Sequence, residues 1–186
     1  MRSISTVVLF AIFTTAAVAE PYEMTSLYRA GNWQTSLVHD TISGNLRCEA
    51  EVSGRGSQMF SIVAYQKAGL KGFFFDTSWS LRERNVELRV DIDYEAWRIA
   101  GRAKEISVAF NVPSDDSGIR FLRQLSRGNA IALYTMEEER LAVFPLKGSE
   151  GAIRSLMTCW ARISDEPSSQ PRSDPFAPAV GETDPF

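Results

Sequence analysis

Two cysteines, one histidine and a row of three carboxylates are the residues of this chain with the chemistry to form a site. Cys48 and Cys159 are its only cysteines. Each falls on the apolar side of its segment, Cys48 with Leu46, Ala50 and Val52, Cys159 with Ala152, Leu156 and Ile163 at helical spacings of four and three. Two cysteines turned toward one core pair in an oxidising compartment and stay buried thiols in a reducing one. His39 is the single histidine, so any Ser-His-Asp or Cys-His site must be built on it. That count leaves no histidine-rich zinc site. It shares a strand face with Trp33, Thr35 and Leu37, which suits a partly buried imidazole with a local hydrogen bond.

Asp91, Asp93 and Glu95 alternate with Ile92 and Tyr94. On one strand they would line one face, successive side chains about 6–7 Å apart. Such a row could bind Ca²⁺ or, with Asp76, supply acid/base groups to an enzyme. It is not an EF-hand: Ala96 stands where the turn glycine belongs and Arg102 where the bidentate Glu belongs. Arg89 and Arg98 offer countercharge, and a solvated polar face accounts for the row without a metal.

The other concentration is aromatic: Phe73, Phe74, Phe75 and Trp79, with Phe60 and Tyr65 nearby. Three consecutive aromatics on a strand cannot share a side. At least one turns away from the core, where, rimmed by Lys71 and Asp76, it would suit a binding surface. No phosphate-binding loop, dinucleotide fingerprint, G-x-S-x-G elbow or C-x-x-C motif occurs. No cofactor is implied.

The elements that carry these residues read mainly as strands. Leu46–Val52, Val86–Tyr94 and Ile106–Val112 alternate with the period of half-buried strands. Trp33–Thr41, Met59–Tyr65, Gly72–Trp79, Ala130–Met136 and Leu141–Leu146 complete a set of about eight. Gly-containing turns separate them, at spacings mostly too short for helical crossovers. The expected fold is mainly β, an antiparallel sandwich or open barrel with two helices. One helix runs from Ser114 as N-cap to Arg127, with an apolar stripe of Ile119, Leu122 and Leu125. The other runs from Ser149 to Ile163 and would be tied to the sheet by Cys48–Cys159.

Residues 1–19 have the form of an export signal: Arg2, the apolar Val7–Ile12, and Ala17-Val18-Ala19 before a cut at Glu20. Its apolar stretch is too short to span a bilayer, and no transmembrane segment is expected after cleavage. Residues 20–163 then form a single β-rich domain, periplasmic or secreted. From Ser164 the composition turns to Pro, Ser, Asp and Gly, which predicts a disordered tail over 164–186. The tail holds Asp165, Glu166, Asp174, Glu182 and Asp184 against Arg172, whereas the whole chain carries a net charge of only −3. The domain is therefore electrically balanced and has no Lys/Arg cluster, which argues against nucleic acid as a partner. Ser173-Asp-Pro-Phe and Thr183-Asp-Pro-Phe repeat within the tail.

The run Pro145-Leu-Lys-Gly-Ser-Glu-Gly-Ala-Ile-Arg-Ser-Leu156, together with Gly31-Asn32-Trp33 followed by Cys48, resembles the invasion-associated locus B family of exported bacterial proteins. Two positions depart from that family's pattern, Ser149 after Gly148 and Cys159 inside the final helix. The resemblance implies a β-rich protein acting at the envelope without established catalysis, and it transfers no site residues. Three functions fit the sequence. The foremost is a non-enzymatic binding domain for a protein or envelope component. The second is a periplasmic inhibitor or immunity protein against a wall-degrading enzyme. The third is an enzyme, carboxylate-based or metal-dependent.

Overall fold

The computed structural model describes residues 20–93 and 95–165. The leader expected over 1–19 lies outside it. So does the expected tail, apart from Ser164 and Asp165, which close the last helix.

Ten strands form one antiparallel sheet: β1 (Tyr22–Ala30), β2 (Trp33–Asp40), β3 (Leu46–Ser53), β4 (Gln58–Tyr65), β5 (Gly69–Asp76), β6 (Leu81–Ile92), β7 (Glu95–Glu105), β8 (Ser107–Asn111), β9 (Ala130–Tyr134) and β10 (Arg140–Pro145). Helix α1 (Asp116–Arg127) lies between β8 and β9, and α2 (Ser149–Asp165) follows β10. The spatial order is β1-β2-β3-β4-β5-β8-β7-β6-β9-β10. The expected mainly β architecture with two helices is present, with two corrections. A single sheet replaces a two-sheet sandwich, and there are ten strands where about eight were expected. The additional pair are β1, whose side chains are mostly exposed, and β7, which returns along β6 after the chain reverses at Asp93.

Cross-strand register explains the core. Successive side chains alternate between faces, and the pairings align the apolar ones. One row runs Trp33, Val52, Phe60, Phe74, Val108, Ala103; the next runs Thr35, Ala50, Ile62, Gly72, Phe110, Gly101. Further along the sheet, Trp97, Val90, Leu133 and Ala142 form a third row, and Ile92, Ile131 and Phe144 share the next. Nearly all of these side chains are buried.

The sheet rolls over this face. Four strands separate β5 from β10, so a flat sheet would hold them about 24 Å apart. Yet the Phe144 ring of β10 lies 6.0 Å from Phe74 on β5 and 6.0 Å from Phe60 on β4. The ladder does not close between β10 and β3–β4. Side chains bridge the seam: Gln58 Nε2 donates to the Leu141 carbonyl at 3.1 Å, and Trp33 Nε1 to the Pro145 carbonyl at 3.1 Å. Two carbonyls of the terminal strand are thereby satisfied without a further strand.

The helices cover the inner face. α2 lies across β1–β4, where Thr35 Oγ1 donates to the Ala152 carbonyl, Trp160 Nε1 to the Tyr65 carbonyl and Tyr28 to the Gly148 carbonyl. Ala152, Leu156, Cys159 and Ile163 are its buried residues as expected, joined by Ser149 and Ile153. α1 packs Phe121 edge-on against Trp97 and Phe110. Its N-cap is Asp115, not Ser114: the Asp115 side chain accepts from the amides of Ser117 and Gly118. Its buried stripe is Gly118, Phe121 and Leu125, while Ile119 is 56% exposed. The helix presents Phe121 to Trp97 and Phe110 in place of Ile119.

Cys48 and Cys159 form the expected disulfide, their Cα atoms 6.1 Å apart and 111 residues apart in sequence. Loop-closure entropy assigns such a link about 4–5 kcal/mol. Cys48→Ala and Cys159→Ala should therefore lower stability by nearly equal amounts, with the double variant little worse, as read by chemical denaturation. Clearly unequal costs would mean that each sulfur stabilises by packing, not by the link. A second outcome follows from Gly72, where a Cβ would stand 2.0 Å from Phe110 Cζ. Gly72→Ala should cost about 1–3 kcal/mol, because Phe110 is wedged between Phe74 and Phe121 and has no room to retreat.

Candidate functional site

The outer face of the sheet carries the candidate site, and strand alternation assembles it. Phe74 points inward and is fully buried, so its neighbours Phe73 and Phe75 must point outward. There their rings stack, 5.7 Å apart and 13° from parallel. The sequence expectation that at least one of the three phenylalanines leaves the core is met, by two. Trp79 is not part of this pair: it packs half-buried against the core beyond the end of β5.

The pairings extend the outer face from these rings. Phe73 lies opposite Ala109, which lies opposite Arg102, which lies opposite Asn85. Lys71 lies opposite Asn111, and Phe75 opposite Ser107, which lies opposite Lys104. Ala100 and Ala109 are short, so the surface dips between β5 and β6 into an open trough of about 630 Å³. Lys71, Asn85, Glu87, Arg102 and Asn111 wall it. The floor is apolar and the walls can donate and accept hydrogen bonds, the composition of a recognition surface. Arg102 is held in place by Glu83, with Nη2 2.8 Å and Nε 3.1 Å from Oε1, and Lys104 Nζ lies 3.8 Å from the other oxygen. The Arg102 hydrogen bond, then the charges of Lys104 and Arg102, hold the Glu83 carboxyl below its ordinary range. Lys71 leans over the Tyr65 ring, 5.6 Å from its centroid.

Asp76 anchors the strand that presents the two rings. Its side chain accepts from Ser78 Oγ at 2.7 Å, the Ser78 amide at 2.9 Å, Ser57 Oγ at 3.0 Å and Gln58 Nε2 at 3.1 Å. Gln58 is the residue that also reaches Leu141 across the seam. Asp76 is thus a hub between the end of β5, the start of β4 and β10, and only 6% of it is exposed. Hydrogen bonds from Ser78 above all, then from Gln58 and Ser57, lower its pKa to about 2. It is an ionised structural acceptor.

The carboxylate row does not exist as a row. Asp93 has φ +53 and sits in the hairpin between β6 and β7, so Asp91 and Glu95 lie on different strands. Glu95 is opposite Ile92 and so shares its face, the one opposite to Asp91. Each carboxylate has its own partner. Asp91 takes a two-pronged contact from Arg89 at 2.9 and 2.7 Å; Asp93 accepts from the amides of Asn129 and Ala130; Glu95 accepts from Gln124, which also accepts from Trp97 Nε1. Among the described residues no group of three His, Cys, Asp or Glu side chains is gathered as a metal site would be. His39 stands at the sheet rim with Nδ1 3.5 Å from Glu23 Oε2, and the disulfide consumes both cysteines.

Arg102, Asn85 and Asn111 escape a reading of the sequence, because their meeting depends on β6, β7 and β8 lying side by side. The available signal was the alternation Trp97, Ile99, Gly101, Ala103 against Arg98, Ala100, Arg102, Lys104.

No protein-family model matches the chain, and none of the curated proteins or solved structures compared with it matches either. No helix among the described residues is long and apolar enough to cross a membrane.

Because the Asp76 pKa is depressed on folding, its contribution is complete above the ordinary value of 3.8 and is lost as pH falls toward about 2. Asp76→Asn should therefore lower the melting temperature at neutral pH and flatten its decline over that acid range. An undiminished acid slope in the variant would show that other carboxylates carry it.

Proposed function

We propose that this protein is an exported, non-enzymatic binding domain that holds a protein or envelope component on the outer face of its sheet. The observation that carries the reading is the stacked, half-buried Phe73–Phe75 pair on the outer face beside the trough. Large aromatic rings held rigidly by a strand supply contact area at little entropic cost, and they dominate the energetics of many interfaces. The polar side chains around the trough would set the orientation of whatever docks there.

Several features support the rest of the reading. The disulfide fits an oxidising compartment, and with the export-type leader it points to the periplasm or the exterior. The resemblance of Pro145–Leu156 to invasion-associated locus B proteins favours the same setting. Asp76, Asp91, Asp93 and Glu95 each serve a structural bond, which favours binding over carboxylate chemistry.

The test is affinity capture from envelope extracts with the disulfide intact. The native protein should retain a specific partner. The double variant Phe73→Ala/Phe75→Ala should weaken retention by tenfold or more, in line with the roughly 2 kcal/mol typical of an aromatic hot spot, and circular dichroism should show the fold unchanged. Equal retention by the native protein and the double variant would overturn the assignment of this surface.

A further inference from the structure

We propose that the outer-face trough is the docking site of the chain's own Asp-Pro-Phe repeats, Asp174-Pro175-Phe176 and Asp184-Pro185-Phe186. This rests on the reading of that face as the binding surface and names an occupant for it.

The chemistry of motif and surface match. A residue before proline is held extended, so Asp and Phe, two positions apart, project to the same side. Their Cα atoms are then about 7 Å apart. On the sheet, Phe73 and Arg102 flank Ala109, two strand spacings or about 10 Å from one another. Side-chain reach accommodates the difference, which places the Phe ring of a repeat on the Phe73–Phe75 stack and its carboxylate at Arg102, Lys71 or Lys104. Those cations outnumber Glu83 and Glu87 around the trough. The residues from Glu166 onward have the opposite balance, Glu166, Asp174, Glu182 and Asp184 against Arg172.

The connection is short enough. α2 ends at Asp165, and its last turns are pinned to the β4–β5 hairpin by Trp160 Nε1 donating to the Tyr65 carbonyl. Lys71, at the near edge of the trough, lies over the ring of that same Tyr65. The path from helix to trough therefore crosses one hairpin. Eight residues, Glu166–Ser173, precede the first repeat and span up to about 27 Å when extended. The second repeat, ten residues on, has ample reach as well.

The test uses the full mature chain. Cys48 and Cys159 are bonded, so Ala177→Cys introduces a unique thiol for a nitroxide label. The label should broaden the amide resonances of Phe73, Arg102, Ala109 and Asn111 and spare the far sheet edge at Tyr22–Ser26. Phe176→Ala/Phe186→Ala in the labelled chain should restore the peaks, and so should Phe73→Ala/Phe75→Ala. No broadening would overturn the proposal, as would broadening centred on Asp40, Asn45 and Lys67 at the hairpin tips, or recovery in neither double variant. The capture experiment separates this failure from that of the broader reading. A partner lost on Phe73→Ala/Phe75→Ala with no label effect removes only the tail as occupant. A partner retained by that variant removes the binding surface as an envelope contact, whatever the label shows.

Discussion

The contact of Phe144 with Phe60 and Phe74 is the constraint on which the rest of the molecule depends. It joins the last strand to the fourth and fifth, so the sheet cannot lie flat, and it converts a two-faced ribbon into a molecule with an inside. Burying three phenylalanines removes several hundred square ångströms of apolar surface from water. Gln58 and Trp33 then satisfy the carbonyls that the incomplete ladder leaves open. Asp76 fixes Gln58 in turn. The seam is held by packing first and by a small polar network second.

The two helices complete what the roll begins. α2 lies over the strands at one end of the sheet, and the Cys48–Cys159 link joins it there across more than a hundred residues of chain. Ser149, at its first turn, donates to the Leu125 carbonyl, which satisfies one of the orphan carbonyls at the end of α1. The inner face is thereby fully occupied. A strand whose inner side chains are committed to a core has only its outer side chains left for recognition, and that is why function is sought on Phe73, Phe75 and their neighbours.

The outer face is a byproduct of the same alternation, yet it is not featureless. Small residues at Ala100 and Ala109 lower the surface while long polar side chains stand around them. The inner-facing neighbours of those alanines are Gly101, beneath Leu88, and Phe110, which fills the space above Gly72. Core packing and trough shape are thus set by the same strands, and a change that disturbs Phe110 acts on both.

Much of this was legible in the sequence. Hydrophobic alternation and the turn signals between segments located eight of the ten strands. Helical spacing placed Cys159 and strand alternation placed Cys48, so their pairing followed before any coordinates. The outward turn of part of Phe73–Phe75 followed from a period of two. These are local matters, decided by residue type and repeat. What the tertiary structure decided is non-local. The reversal at Asp93 split a presumed row of carboxylates between two strands, because a two-residue turn is a weak signal inside a long alternating run. The roll of the sheet depended on Phe144 finding Phe60 and Phe74, partners seventy or more residues away. Lys71, Asn85, Arg102 and Asn111 became neighbours only through the β5-β8-β7-β6 order, which no spacing along the chain encodes.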